Sequence, residues 1–282
     1  MNVTTERNGT ANYLSTIVIF ILFGGIIGAA TFITLIPQNT RTVLKFGMAI
    51  ISLATWFFSG RSERFQPYKQ FAISFFAISL GVLLAQYFGD IPMRLFNASI
   101  TTVRGVALAK VGEALPVILS ILVFHFATGG DMNGLFLRKG NLRLGLTAGI
   151  LGFAFFASIG LLQVIGSGLQ WAIVAKALPW ILTFTFSNAL MEELWFRASF
   201  LKKLEPLVGI RTTLIITSLV FAGIHISSTY VIDILVFMVA LMALGLLWSW
   251  LMNKADSIWG PVLIHAGGDV LVILGFLAGA NL

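Results

Sequence analysis

The chain contains no cysteine, and only 10% of its residues are charged. The first absence excludes disulfides, thiolate nucleophiles and cysteine-ligated metal sites. The second excludes an ordinary soluble domain, in which about a quarter of the residues carry charge. Acidic residues are the scarcer kind, with 11 Asp and Glu against 18 Lys and Arg, for a net charge of +7. In a soluble protein that surplus would suggest nucleic acid. Here the basic residues sit in short loops between apolar blocks and form no continuous basic face, so a nucleic-acid partner is not expected. Histidine is confined to three positions, His125, His225 and His265. Linkers and low-complexity tracts are missing too, which makes residues 1–282 a single integral-membrane domain.

What the chain does have is apolar length. It is 58% hydrophobic, with a mean hydropathy of +0.95, and the apolar residues come in blocks rather than in the one-sided stripes of a solvated helix. About 20 apolar residues suffice to cross some 30 Å of hydrocarbon. Blocks of that kind lie at 13–36, 43–59, 70–88, 105–126, 144–165, 171–201, 212–227, 230–252 and 258–280. The expected fold is therefore all-α, a polytopic transmembrane bundle of eight or nine spans. Eight is the count if the fourth block, which carries Lys110 and Glu113, lies in the interface.

The first block is too long for a signal-peptide core and reads as a retained anchor. Its Gly24 and Gly28 have the small-xxx-small spacing that lets two membrane helices approach closely. Lys and Arg divide 11 to 6 between the two sides, with Arg197 left inside a span. That asymmetry places the N-terminus in the cytoplasm, and the cell membrane is the expected location.

Chemistry concentrates in the last third. The stretch FSNALMEELWFRASF, residues 186–200, places Glu192, Glu193 and Arg197 inside an apolar run. A charged residue at the bilayer centre costs about 2.5–3.5 kcal/mol on insertion scales, so these three need partners. Glu193 and Arg197 stand at i and i+4 and can pair on one helical face, which by itself is a structural ion pair. Glu192 is turned about 100° away and needs a different partner. The sixth block is about 30 residues, roughly 45 Å as a helix, and must tilt, bend at Pro179 or protrude.

Two histidines fall in the same C-terminal set. His225 lies in LVFAGIHISS, late in the seventh block. His265 lies in SIWGPVLIHAGGDV, in the ninth, with Asp269 at i+4. His125, near a glycine turn at the end of the fourth block, reads as interfacial. Ionisable groups inside a membrane tend to face the bundle interior and find one another. A cluster of Glu192, His225, His265 and Asp269 follows, and its natural chemistry is hydrolysis. A carboxylate beside an imidazole can deprotonate water, and a second histidine can stabilise an oxyanion. Zinc held by Glu192, His225 and His265, with Asp269 as ligand or support, is the alternative; no other cofactor is expected.

In order, EELWFR fits EExxxR, FAGIH fits FxxxH and HAGGD fits Hxxx(N/D). Together, on separate membrane segments, they resemble the CAAX protease and bacteriocin-processing family, which includes the type II CAAX prenyl endopeptidases. The resemblance covers about residues 178–269, leaving 13–165 as scaffold and 171–280 as the motif-bearing part. It implies an intramembrane endopeptidase in which Glu192 activates water with help from His225. Glu193 and Arg197 would orient the site, and His265 and Asp269 would stand at the oxyanion positions. The family's last position is often Asn, which can donate a hydrogen bond that an ionised Asp269 cannot. The family is named as metalloproteases, although metal-free glutamate mechanisms have been proposed for it. The implied substrate is a peptide or a membrane-anchored protein, prenylated proteins and bacteriocin leaders among the candidates.

Other protease motifs fit poorly. There is no HExxH, IGSG places Ile165 where a rhomboid GxSG needs Gly, and AGGD places Ala266 first where a presenilin-type motif needs Gly. Two readings from other classes use the same cluster: a proton- or cation-coupled transporter, and a non-catalytic immunity or regulatory partner.

Overall fold

A computed structural model describes residues 3–61, 63, 65–228 and 233–280. Arg64, one of the loop cations, and positions 230–232, where the eighth expected span begins, lie outside the described residues. The described elements are helical throughout, and nine helical segments are long and apolar enough to cross a membrane. They comprise α1 (Val3–Phe32), α2 (Gln38–Ser59), α3 (Lys69–Phe88), α5 (Val103–Ala127), α6 (Leu142–Ser167), α7 (Trp171–Glu192), α8 (Leu201–Gly223), α9 (Ile234–Ala255) and α10 (Trp259–Ala280). A short α4 (Ile91–Leu95) follows α3. The fourth block is a full 25-residue helix despite Lys110 and Glu113, long and apolar enough to cross a membrane, which fits the nine-span count.

Local chemistry sets several helix starts. Thr102 Oγ1 accepts from Gly105 N at 3.1 Å, Asn141 Oδ1 from Leu144 N at 3.0 Å, and Asp233 Oδ1 from Leu235 N at 2.9 Å. Each satisfies one of the orphan amides at a helix start. The seventh span departs from the expected 212–227. Helix begins already at Leu201 and breaks at Gly209, whose φ of 75° only glycine adopts without strain. The loop expected around Lys202, Lys203 and Arg211 is thus mostly helical.

Lipid tails are as apolar as leucine side chains, so helices in a membrane associate through close packing rather than hydrophobic expulsion. Glycine supplies that closeness here. Gly24 and Gly28 on α1 meet Val220 and Ile224 beside them, as the small-residue spacing suggested. The α6–α10 contact is built the same way. Gly145 faces Gly260, Gly149 faces Leu263, and Gly267 lies against the Phe153 backbone. In HAGGD, His265 and Asp269 share one face of α10, while Gly267 lies about 200° round from His265, on the opposite side. The glycine that anchors α10 on α6 therefore turns the two motif residues inward.

A Cβ on Gly267 would lie 2.6 Å from Phe153 Cα, whereas one on Gly268 meets nothing within 4 Å. Gly267→Ala is expected to destabilise the protein by about 1–3 kcal/mol through overpacking, and Gly268→Ala to leave it nearly unchanged. Thermal unfolding in detergent compares the two, and equal effects would contradict this packing.

At one end of the bundle, the 128–141 loop is strapped to the motif helices. Lys202 Nζ donates to Asn133 O at 2.8 Å and to Asp256 Oδ1 at 2.7 Å. Arg138 pairs with Asp256, and Ile258 N donates to Phe136 O at 3.0 Å. His125, at the end of α5, belongs to this strap. It is buried, Gly130 and Gly134 lie against its ring, and its Nε2 donates to Asp131 O at 2.8 Å.

Candidate active site

The last turn of the sixth span is not α-helical. Glu193–Ala198 forms a π-helical turn, with Ser199 N bonding back to Leu194 O at 3.0 Å. One extra residue per turn loosens the ladder, and such insertions concentrate at functional sites. Nothing in the apolar periodicity signals it. Ser199 Oγ donates to the same Leu194 oxygen at 2.7 Å. Trp195 and Phe196 of the turn pack against Phe32 of α1, so the N-terminal scaffold encloses this segment.

The two glutamates meet one imidazole. Glu193 Oε1 accepts from Arg197 Nη1 at 2.6 Å and from His265 Nδ1 at 2.8 Å. Glu192 Oε2 lies 3.5 Å from His265 Nε2. The sequence reading gave the two carboxylates separate partners because they diverge by about 100°. The structure joins them instead, because the two ring nitrogens of one histidine also point apart. Glu193 and Arg197 are fully buried, and Glu192 and His265 nearly so. Since a carboxylate can only accept, His265 Nδ1 is the donor and its tautomer is set by Glu193. Glu192 Oε2 and Glu193 Oε2 make no protein hydrogen bond.

Aromatic side chains complete the enclosure. Trp248 of α9 stacks on His265 with centroids 4.5 Å apart and planes at 15°. Phe221 of α8 meets the same imidazole edge-on at 5.8 Å. The Arg197 guanidinium lies 4.3 Å from the Phe221 centroid and 5.0 Å from that of Trp248. A cation over aromatic faces in a desolvated site is held by about 2 kcal/mol or more. These rings stabilise the buried arginine that in turn orients Glu193.

His225 stands at the edge of this cluster. It lies in a 3₁₀ turn, Ile224–Ser227, after α8. Its Nδ1 donates to Phe221 O at 2.8 Å, which leaves Nε2 as an acceptor in the neutral ring. The two site histidines flank Phe221, His225 with a centroid separation of 5.0 Å. His225 is within electrostatic reach of Glu192 without a direct bond to it.

Asp269 lies one turn beyond His265, with Oδ1 3.9 Å from His265 Nε2. Its Oδ2 accepts from Asn188 Nδ2 at 3.0 Å. Asn188 was missed in the sequence, although a signal existed: it is a lone amide four residues before Glu192, on the same face of α7. The hydrogen-bond donor that Asp269 lacks is thus present beside it, on a neighbouring helix. Trp248 carried no comparable signal, because a tryptophan in LLWSW looks like any other membrane-helix aromatic. Phe221 is the first residue of FxxxH and acts here as the spacer between the two imidazoles.

The zinc set Glu192, His225 and His265 does not assemble as a ligand group. Among the described residues no three His, Asp or Glu side chains are grouped so as to hold a metal ion. No step is therefore derived through a metal.

No curated protein and no solved structure matches the chain. A family model does, over residues 174–271, and it is described as type II CAAX prenyl endopeptidase Rce1-like. That segment holds the π-helical turn, both site histidines and Asp269, and it includes all of α8 and α9. The nine apolar helices and this match together describe an integral membrane protein. Over residues 174–271 the chain is thus similar to the CAAX protease family that the EExxxR, FxxxH and HxxxD motifs resemble.

Proposed function

We propose that this protein is a membrane-embedded endopeptidase that hydrolyses a peptide bond in a membrane-associated substrate, with Glu192 as general base. The family match over residues 174–271 supports a CAAX-type intramembrane protease acting on a peptide or protein in the membrane. One observation supports the mechanism most directly: Glu193 and Arg197 fix His265 from one side, while Glu192 meets its other nitrogen with an unbonded oxygen.

In this mechanism a water held between Glu192 and His225 Nε2 attacks the substrate carbonyl. The bond from water oxygen to carbon forms as Glu192 takes the proton. The carbonyl electrons move to oxygen, and the oxyanion is stabilised by donors at the His265 and Asn188 side of the pocket. Collapse breaks the C–N bond, and Glu192 returns the proton to the leaving amine. Glu193 and Arg197 touch no reacting atom and act by holding His265. Asn188 offers the neutral donor that an ionised Asp269 cannot.

Protein purified in detergent, with no ion gradient, is expected to cleave a fluorogenic peptide carrying an apolar anchor, including an isoprenyl group. Turnover is expected to persist after dialysis against a chelator, without stoichiometric zinc by elemental analysis. His225→Ala is expected to slow turnover about 10²-fold or more without changing metal content. Ion flux in proteoliposomes with no cleavage of any peptide would sink the proposal. Zinc bound at one per chain and lost with His225 would replace its mechanism.

A further inference from the structure

A cavity of about 320 Å³ lies outside the motif-bearing part, among α1, α2 and the start of α3. That volume is in the range of small-molecule sites. Ser15, Ile19 and Phe23 of α1 line it at steps of four. Eight residues of helix rise about 12 Å, most of one leaflet's share of some 30 Å of hydrocarbon.

The walls change character along that axis. Where α2 stops, Ser59 and Tyr68 border the cavity; further in, Phe75 of α3 meets Phe23 with centroids 5.4 Å apart. Ser59 is 2% exposed, and its hydroxyl makes no hydrogen bond among the described residues. A buried hydroxyl without a partner is costly, and this one borders the open space. The Tyr68 hydroxyl accepts from Thr16 Oγ1 at 3.3 Å, which leaves its own proton to donate.

Positive charge gathers at the same end. Lys69 Nζ lies over the Trp56 ring, 5.6 Å from its centroid, and 3.6 Å from where a Cβ on Gly60 would stand, next to Ser59. Arg61 lies 4.0 Å from the Phe57 centroid. Neither forms an ion pair among the described residues. Residues 60–69 carry Arg61, Arg64 and Lys69 against the one carboxylate of Glu63. The charge asymmetry places this end in the cytoplasm, and cytoplasmic leaflets carry anionic lipid.

The gradient selects the occupant. A soluble anion gains nothing from the aromatic end, and a peptide laid there would strand its N–H and C=O groups among phenylalanines. A phosphate group with an apolar chain matches both ends. We propose that this cavity binds one anionic phospholipid, its phosphate on Lys69, Ser59 and Tyr68, and one acyl chain along Ile19 and Phe23 over Phe75. The bound lipid also reaches the segment that carries the π-helical turn. Phe75 meets Phe200 with centroids 4.7 Å apart, and Phe200 N donates to Arg197 O at 3.0 Å. An acyl chain seated on Phe75 completes the packing behind that turn, and occupancy stabilises the folded protein. None of this depends on the protease reading.

The test uses the full-length protein, delipidated in detergent and titrated with phosphatidylglycerol, phosphatidylcholine of the same chains, or glycerol 3-phosphate. Native mass spectrometry reads binding, and thermal unfolding reads stability. One phosphatidylglycerol per chain is expected, bound at least about tenfold tighter than phosphatidylcholine. The unfolding temperature should rise with it and not with glycerol 3-phosphate. Lys69→Gln should bring the affinity ratio to about one, and Lys69→Arg should preserve it. Ile19→Trp, which fills the cavity from an exposed wall, should abolish retention of both lipids. Lys254→Gln, at an exposed cation on another helix, should change nothing.

Equal affinity for the two lipids, or a preference that survives Lys69→Gln, overturns the site. So does equal stabilisation by glycerol 3-phosphate. Displacement of phosphatidylglycerol by an equimolar isoprenylated peptide would assign the cavity to a substrate anchor and overturn the lipid. Retention without a change in unfolding temperature would overturn the link to the π-helical turn.

Discussion

Glu192→Gln is expected to lower peptide cleavage about 10³-fold while the protein accumulates in the membrane and unfolds at nearly the wild-type temperature. The substitution keeps side-chain length and shape in a pocket where Glu192 is almost fully buried. What it removes is the charge and the ability to take a proton. General bases contribute about 10²–10⁴ to rate, and nothing nearby replaces this one. Glu193 already accepts from Arg197 and His265, and Asp269 accepts from Asn188 on a neighbouring helix. Fold and activity should therefore separate cleanly. Cleavage within about tenfold of wild type would remove Glu192 from the reaction and return the cluster to a structural or proton-relay role.

Arg197→Met is the second large effect, and it falls on stability. Arg197 and Glu193 are both fully buried, and the guanidinium lies over Phe221 and Trp248. Removing one partner of a buried pair leaves an uncompensated charge and costs about 3–5 kcal/mol. Loss of the cation–aromatic contacts adds to this. A sharp fall in unfolding temperature in detergent is expected. Glu193→Gln combined with Arg197→Met should recover much of it, because the amide strands no charge and can still accept from His265 Nδ1. Activity should stay low in the double variant, since His265 loses its anionic support. A double variant no more stable than Arg197→Met alone would show that the arginine matters for packing rather than for its charge.

The membrane class, the number of spans and the pairing of Glu193 with Arg197 all followed from local rules. Apolar length sets what can cross lipid, and i,i+4 spacing sets what can pair on one helix. The spacing of Gly24 and Gly28 offered a close helix approach as one of two readings, since glycine is also simply common in membrane helices. The contacts with Val220 and Ile224 came from the tertiary structure. The burial of His125 was not legible in the sequence for a specific reason. Its burial comes from a glycine loop folding back over it, and a residue near the end of a span gives no sign of what the following loop covers.

Glu192 shows the boundary most clearly. Its sequence position established that it needed a partner inside the membrane, since an isolated charge there is too costly to leave alone. Which partner it took was decided elsewhere: by the π-helical turn, by the glycine contact that orients α10, and by Trp248 and Phe221 closing around His265. Those are relations between helices distant along the chain. One-dimensional periodicity records the face a residue occupies on its own helix, and it carries no record of how far a neighbouring helix is rotated. Tertiary packing set that rotation, and with it brought both carboxylates to a single imidazole.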